Sequence, residues 1–595
     1  MVIGGVALVP IADTFLESAR AGVLAAKGTS HLLSPYKGKT LGTIVARFFS
    51  NHMLGIDKDY TGYLNYYEGM ILAVSILTVF AVSYFIVNKS TRVKALVLTV
   101  FLVFLTIMPL TSRILVFTKH SYRWTFMICF VEALVIGCFF QEVFREKNRK
   151  TVLTGSILAI VICGGLLAWM YSFKNIKPDH KVTVGVIGFL AVYLILFAVG
   201  TSVKKMYRIF PAAVLLVLIC ELFVLDYPSL WHRESPTRNQ VATEYYNDGT
   251  KEAVAMLKEQ DDSVYRIEKS YTSASENDGM SQGYNGLSVY MSTNPASLVA
   301  YHKMYGPETL SGNFVDFNMD DYIRSSLLGT KYLITGTGYH APQKIYTSVG
   351  EAGGRSVFEN QYALPFGYLY DKEWNQEEVK EMSGLDKTLA SLSGFYYTDA
   401  EETPSYQKAD LPEQTDLSLL DYADTATDCT MEKGSEGITV SNLGADPNVV
   451  FPGVASCFAD NDKLYGLSLT VDAPDETEMA VYYQTEGDEG FSAEKVYTFK
   501  VTEDNRTWEH LVPGGITELR VDVSSPVESA VINNFELKSC DITESGYTAL
   551  KESGVDEVTF SDSTYQAQVT NDASENKMLC VPLFYQKGWT AQIDG

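Results

Sequence analysis

Between residues 69 and 227 the chain carries six apolar runs: Gly69–Val87, Ala95–Leu110, Trp124–Phe140, Val152–Tyr171, Val182–Gly200 and Ile209–Tyr227. Each is near the length that crosses a hydrocarbon core of roughly 30 Å as a helix. In lipid a segment must satisfy its own backbone, which a helix does and an exposed strand does not. The short connections make neighbouring helices antiparallel. Met1–Ala12 is also apolar but too short to span, and without a basic leader it reads as the tail of a helix rather than a signal peptide. Residues 1–227 are therefore expected to form an α-helical polytopic membrane domain: a partial span at 1–12, an outer segment at 13–68 and six spans at 69–227.

Charge divides the chain at the same place. Residues 1–227 hold 22 Lys and Arg against 11 Asp and Glu, whereas residues 228–595 hold 25 against 60. The first part is net +11 and the second net −35, which together give the −24 of the whole chain. A basic apolar block joined to a strongly acidic one describes a membrane domain carrying a soluble one. The acidic part offers phosphates no cationic face, so nucleic acid is not an expected partner. With the soluble part outside, the inner loops 88–94, 141–151 and 201–208 contain ten Lys and Arg, at higher density than the twelve on the opposite side. Density favours a C-terminal domain outside the cell, although the raw count does not.

Lys119–Phe140 (KHSYRWTFMICFVEALVIGCFF) is the most suggestive stretch for function. Lys119, His120 and Arg123 lie beside Tyr122 and Trp124 at a membrane surface, which suits an anionic headgroup. The plain alternative is an interfacial anchor. Glu132 falls within the following apolar run, where a charge costs several kcal/mol, and so marks either a functional site or an interhelical pair.

After Tyr227 the pattern changes. Residues 228–424 mix an amphipathic helix, Thr250–Gln260, with short strands such as LLGTKYLI (Leu327–Ile334) and end in an irregular linker. They are read as an extracytoplasmic α/β module. From residue 425 to 540, alternating segments at short spacing predict an antiparallel β-sandwich of jelly-roll type, similar in kind to carbohydrate-binding domains. Residues 541–595 read as a β-rich segment cut short. Cys429 and Cys540 bracket the strand run, so an extracellular setting allows a disulfide between them. Trp508 and Trp589 are weak candidates for stacking on sugars, since sheets favour aromatics in any case.

Several phrases in order along the chain resemble the YfhO-like family of bacterial multi-spanning membrane proteins. They are NYYEG (Asn65–Gly69), SYRW (Ser121–Trp124), GYNGLSVYMST (Gly283–Thr293), LLGTKYLI, FENQYALPFGY (Phe358–Tyr368) and YQKGWTAQIDG (Tyr585–Gly595). The resemblance implies an integral-membrane glycosyltransferase of GT-C type. Such a protein takes a sugar, here N-acetylglucosamine, from a polyprenyl-phosphate carrier and passes it to a cell-wall polymer such as lipoteichoic acid. A polyprenyl-phosphate glycosyltransferase would supply the donor. Family members carry further spans before the point matching Met1 and continue past Gly595, so the chain is expected to be a fragment lacking both ends. The loop in which GT-C enzymes keep their catalytic acid falls in the earlier part, and no residue here matches that acid.

Inverting transfer from a lipid phosphate needs a carboxylate base for the acceptor hydroxyl and cations for the departing phosphate. Arg123, Lys119 and His120 are the first candidates for the phosphate, with Arg20 and Arg47 behind them; arginine suits bidentate contact. Glu17, Asp13, Asp57 and Asp59 are weak outer-face carboxylate candidates, each explained as well by a cap or loop charge. A divalent metal would suit a GT-C site, but the sequence has no clustered ligands, and no cofactor is identified. A non-enzymatic, membrane-anchored carbohydrate-binding or envelope scaffold protein is the alternative. A transporter would want inverted repeats, which the six runs do not show.

Overall fold

The computed structural model describes residues 13–19, 34–56, 59–63, 75–116, 122–146, 148–203, 209–228, 235–274, 277–291, 293–305, 314–315, 321–336, 338–397, 404–473, 476–503, 505–523, 529–561, 564–570, 576–586 and 588–593. The chain divides into two compact units, Leu24–Ser235 and a second that combines Met1–Val23 with Pro236–Gly595.

The first unit is helical. Its elements are α1 (Gly38–Arg47), α2 (Leu77–Val87), α3 (Arg92–Ile107), α4 (Pro109–Val116), α5 (Phe126–Glu146), α6 (Arg149–Ser172), α7 (His180–Gly200) and α8 (Phe210–Leu225). Polar caps start two of the long helices. Asn148 accepts from the Thr151 amide at 3.2 Å, and Asp179 accepts from the Lys181 amide at 2.6 Å. The core is aromatic, with the Phe80 ring 5.6 Å from both Tyr193 and Phe197. Helices α2 and α6 meet closely because position 155 is glycine: a Cβ there would lie 2.9 Å from Tyr84 Cα. Large apolar side chains such as Val97, Phe101, Phe130, Val184 and Ile195 stay exposed, as a lipid-facing surface requires.

Among the described residues, three helices are long and apolar enough to cross a membrane, within 126–144, 149–172 and 180–200. They come from three of the six expected runs. The run Ala95–Leu110 belongs to a broken pair: Pro109 opens α4, which is bent by 81° from α3. Counted as one span, that pair makes a fourth. The 11-residue α2 and the 16-residue α8 are apolar but short. The N-terminal part of the run Gly69–Val87 and the partial span at 1–12 lie outside the described residues.

In the second unit, a four-stranded sheet is built from β1 (Arg266–Lys269), β2 (Thr330–Thr335), β3 (Tyr346–Ala352) and β4 (Arg355–Asn360) in the order β1-β2-β4-β3. β1 and β2 run parallel and the other pairs antiparallel. Helix α9 (Thr250–Gln260) covers it, packing Ala253, Val254 and Leu257 on Ile267, Tyr332, Ile334 and Val357. The apolar spacing of α9 and the alternation of the strands make both elements amphipathic, and burying those faces together forms this small core.

The remaining β-structure differs from expectation. Thr415–Ser418, Thr430–Gly434, Gly437–Ser441, Lys463–Asp472, Thr507–Val512 and Ser529–Asp541 form one six-stranded sheet. Thr425–Thr427, Asn448–Phe451, Thr477–Thr485, Val496–Val501 and Ile516–Val523 form a separate five-stranded sheet. Both turn apolar residues into a common cluster, where the Phe451 and Phe535 rings lie 4.9 Å apart. The sheets nevertheless remain open and separate, one recruits a strand from before residue 425, and the described residues form four further two-stranded sheets. The fold is thus a helical membrane region followed by several β-sheets, and the single closed jelly-roll-like sandwich is not formed. Alternation specifies which face of a strand is buried, as in Thr477–Thr485, but not which strand becomes its neighbour.

The disulfide that the sequence allowed between Cys429 and Cys540 is not formed. All eight cysteines are free thiols. Cys429 packs at the margin of the cluster shared by the two larger sheets, whereas Cys540 is buried in a different cluster with Tyr322 and Leu385.

Candidate functional site

The connections of the helical unit gather at one end of the bundle. The Tyr36 amide donates to the Ile107 carbonyl at 2.9 Å, and the Asp179 amide donates to the Met53 carbonyl at 2.7 Å. Thr61 Oγ1 donates to the Lys177 carbonyl at 3.2 Å, and Ser50 Oγ donates to the Leu225 carbonyl. The end of α3, the α6–α7 turn and the end of α8 therefore share one rim with residues 34–56 and 59–63, and Tyr122, just ahead of α5, joins it beside Tyr36.

Arg47 closes α1 at this rim and is almost fully buried, 1% exposed, with its guanidinium carbon 5.2 Å from the Tyr60 ring centroid. Such a contact is attractive because the ring face carries negative quadrupole density. Nearby in the same unit, the Tyr36 and Tyr122 rings are 6.2 Å apart, and Tyr122 and Trp124 are 6.4 Å apart. Tyr122 Oη donates to the Thr106 carbonyl at 3.2 Å, and Trp124 Nε1 donates to Ser112 Oγ at 3.3 Å. Burial pushes the Tyr36 phenol above its ordinary range, against the opposing hydrogen bond with Ser112.

Arg123 lies between the two buried aromatics, in the single 3-10 turn Arg123–Thr125 that leads into α5. Its side chain, and the residues Lys119, His120, Arg20 and Asp57, lie outside the described residues. Asp59 is exposed in the segment after α1. Asp13 and Glu17 are exposed and belong to the other unit, where the Ala296 amide donates to the Glu17 carbonyl at 3.2 Å and Ser18 bridges to Pro295. Glu132 is buried on α5, 5% exposed.

Reading the sequence missed a second buried acid in the helical unit. Glu221 on α8 is 2% exposed and accepts three hydrogen bonds, from Ser75 Oγ, the Ile76 amide and Tyr193 Oη, each at 2.7 Å. The signal was present, since an acid interrupts the run VLLVLICELFVL near its end.

The two tryptophans differ in setting. Trp508 is buried in the cluster shared by the two larger sheets, its ring stacked on Phe499 at 5.0 Å and 9°. Trp589 is 43% exposed. Asn360, in one of the family-like phrases, donates to Ser326 Oγ at 2.9 Å and accepts from the Tyr362 amide at 2.9 Å, so it fixes a turn. Among the described residues no group of three or more His, Cys, Asp or Glu is placed to hold a metal ion.

Residues 6–595 match the family described as bacterial membrane protein YfhO. The chain belongs to the YfhO family. A YfhO relative from Bacillus subtilis (strain 168), whose printed name is uncharacterized protein YfhO, is 22% identical over 507 residues, which is 80% of this chain and 54% of the relative. The chain thus spans about half the length of that curated relative. Among solved structures, a low affinity xylan binding module from Roseburia intestinalis aligns with 22% of the chain and 99% of its own length, at 8% identity and a TM-score of 0.18. A family 29 carbohydrate binding module from Piromyces equi aligns with 21% of the chain and 90% of its own length, at 11% identity and a TM-score of 0.17. Scores this low carry no argument about the YfhO chain.

Proposed function

We propose that the complete YfhO protein is a membrane glycosyltransferase of GT-C type. It transfers a sugar, N-acetylglucosamine in the first instance, from a polyprenyl-phosphate carrier to a cell-wall polymer such as lipoteichoic acid at the outer face. In this reaction an acceptor hydroxyl oxygen bonds to the anomeric carbon as the bond from that carbon to the phosphate oxygen breaks. The hydroxyl proton passes to a carboxylate base, and the phosphate leaves on its lipid. A polyprenyl-phosphate glycosyltransferase on the cytoplasmic side replenishes the donor.

The observation that supports this reading is the bundle rim, where a buried arginine, Arg47, shares one end of a helical membrane unit with Tyr36, Tyr122 and Trp124. Aromatic rings and cations at the membrane surface suit a lipid whose tail lies in the bilayer and whose phosphate lies at its edge. Arg123 is the first choice to take the phosphate, together with Lys119 and His120, and Arg20 and Arg47 are the second. The base is not assigned to any residue of this chain.

The test is transfer by the complete protein in membranes, with Arg123→Ala as the variant. Donor KM should rise at least about tenfold, which is about 1.4 kcal/mol of lost phosphate binding, while the amount of protein in the membrane stays unchanged. Unchanged donor use would remove the phosphate assignment. Absence of any transfer by the unmodified protein, with saccharide binding retained, would favour a carbohydrate-binding scaffold instead.

A further inference from the structure

A cleft of about 450 Å³ opens beside the four-stranded sheet of the second unit. One wall is the end of α9 and the turn after it, with Lys258, Asp262 and Tyr265; the others are Tyr284 with Asn285, and Phe560 from the hairpin Asp556–Gln568. Small-ligand sites commonly enclose about 300–1,000 Å³. This one has room for one or two pyranose rings.

Its chemistry narrows the ligand further. Tyr265 is held edge-on to Tyr332, with centroids 4.9 Å apart at 80°, and both Tyr265 and Tyr284 pack against the apolar cluster under α9. Phe560 is 40% exposed. Flat aromatic surfaces of this kind receive the C–H faces of a sugar. Asp262 and Asn285 are exposed at the cleft, and among the described residues neither side chain makes a hydrogen bond. A carboxylate and an amide together supply acceptors and donors for vicinal hydroxyls.

The cations nearby are already engaged. Lys258 Nζ donates to the Gly283 carbonyl at 2.7 Å, and Lys331 Nζ donates to Asp261 Oδ2 at 2.7 Å. The residues lining the cleft carry one lysine, Lys258, against two carboxylates, Asp261 and Asp262, so a phosphate entering it gains no net attraction. A neutral polyol needs none.

We propose that this cleft binds a neutral saccharide of one or two pyranose rings. The proposal concerns binding by the acidic unit and does not rest on the transfer reading.

The test is isothermal titration of the whole chain in detergent with N,N′-diacetylchitobiose and with maltose, and with inorganic phosphate as the charged probe. At least one disaccharide should bind saturably, with a Kd in the range of about 1 mM or below. Asn285→Ala and Phe560→Ala, both at exposed side chains, should each weaken that binding at least about tenfold while leaving the thermal midpoint of the chain unchanged. Phosphate should neither bind there nor compete. Failure of both sugars to bind the parent chain, undiminished binding in either variant, or competition by phosphate would overturn the assignment.

Discussion

Tyr193 Oη on α7 donates to Glu221 Oε2 on α8 at 2.7 Å, and the same carboxylate takes the Ser75 hydroxyl and the Ile76 amide from the residues leading into α2. One acid therefore ties three helices together inside an apolar unit. Removing it leaves two buried hydroxyls and a buried amide without their acceptor. Glu221→Ala is expected to destabilise the helical unit by about 1–3 kcal/mol. Tyr193→Phe, which deletes a single donor, should cost less, about 0.6–2 kcal/mol. Thermal unfolding of the purified protein in detergent distinguishes the two, and equal losses would show that Glu221 does not act as the shared acceptor.

Two glycines face each other where α9 begins. Gly249 has φ +92° and Gly353 has φ +60°, and a Cβ on either would collide with the backbone of the other. The turn between β3 and β4 thereby holds the start of α9 against the sheet. Gly249→Ala and Gly353→Ala should each destabilise the second unit by more than about 1 kcal/mol, through both backbone strain and lost approach. Gly354, with φ +73° but open space around its Cβ, separates the two effects, because Gly354→Ala carries the strain alone. Urea unfolding of all three variants provides the comparison.

Asp261 makes the second unit sensitive to acid. Burial by itself would raise its carboxyl, but hydrogen bonds from Lys331, Ser263 and Tyr332 outweigh burial and hold it well below the ordinary carboxylate range. A carboxylate lowered in the folded state contributes stability that is complete above the unfolded pKa of about 3.9. That stability is lost as pH falls through the lower folded value. Lys331→Met should reduce stability at neutral pH and flatten the acid limb of the stability profile. Denaturant midpoints measured from neutral pH down to strong acid test this, and a variant profile parallel to the parent's would contradict it.

Trp508 is expected to act as core. It is 8% exposed and its face lies on Phe499. Trp508→Ala should destabilise by about 3–5 kcal/mol, the usual range for an aromatic deleted from a packed interior. Trp589→Ala, at an exposed position, should change stability by no more than about 0.5 kcal/mol. A Trp508→Ala protein as stable as its parent would return the residue to the list of surface sugar-stacking candidates.

How far the sequence could be read depended on which interactions are local. The apolar runs Val152–Tyr171 and Val182–Gly200 became α6 and α7 nearly residue for residue, because hydrophobic length and a polar cap are properties of a single segment. Thr250–Gln260 was predicted to within its observed ends for the same reason. The SYRW phrase led correctly to a helix entrance, but nothing in its spacing showed that Tyr122 and Trp124 would turn inward beside Tyr36. Glu221 was visible as an acid in an apolar run, yet its three donors come from residues 28 to 146 positions away in the chain.

The sequence by itself determined that a basic, apolar, helical block precedes an acidic, β-rich one, since hydropathy, charge and alternation are summed along the chain. Only the tertiary structure decided that, among the described residues, three helices reach full spanning length, that Pro109 breaks a further pair, and that the strands divide into separate open sheets. It also decided that Trp508 is buried and that Asp262, Tyr265, Tyr284, Asn285 and Phe560 line one cleft. A segment's pattern says which of its faces avoids water; its partners are set by competition among all such faces for the same buried space.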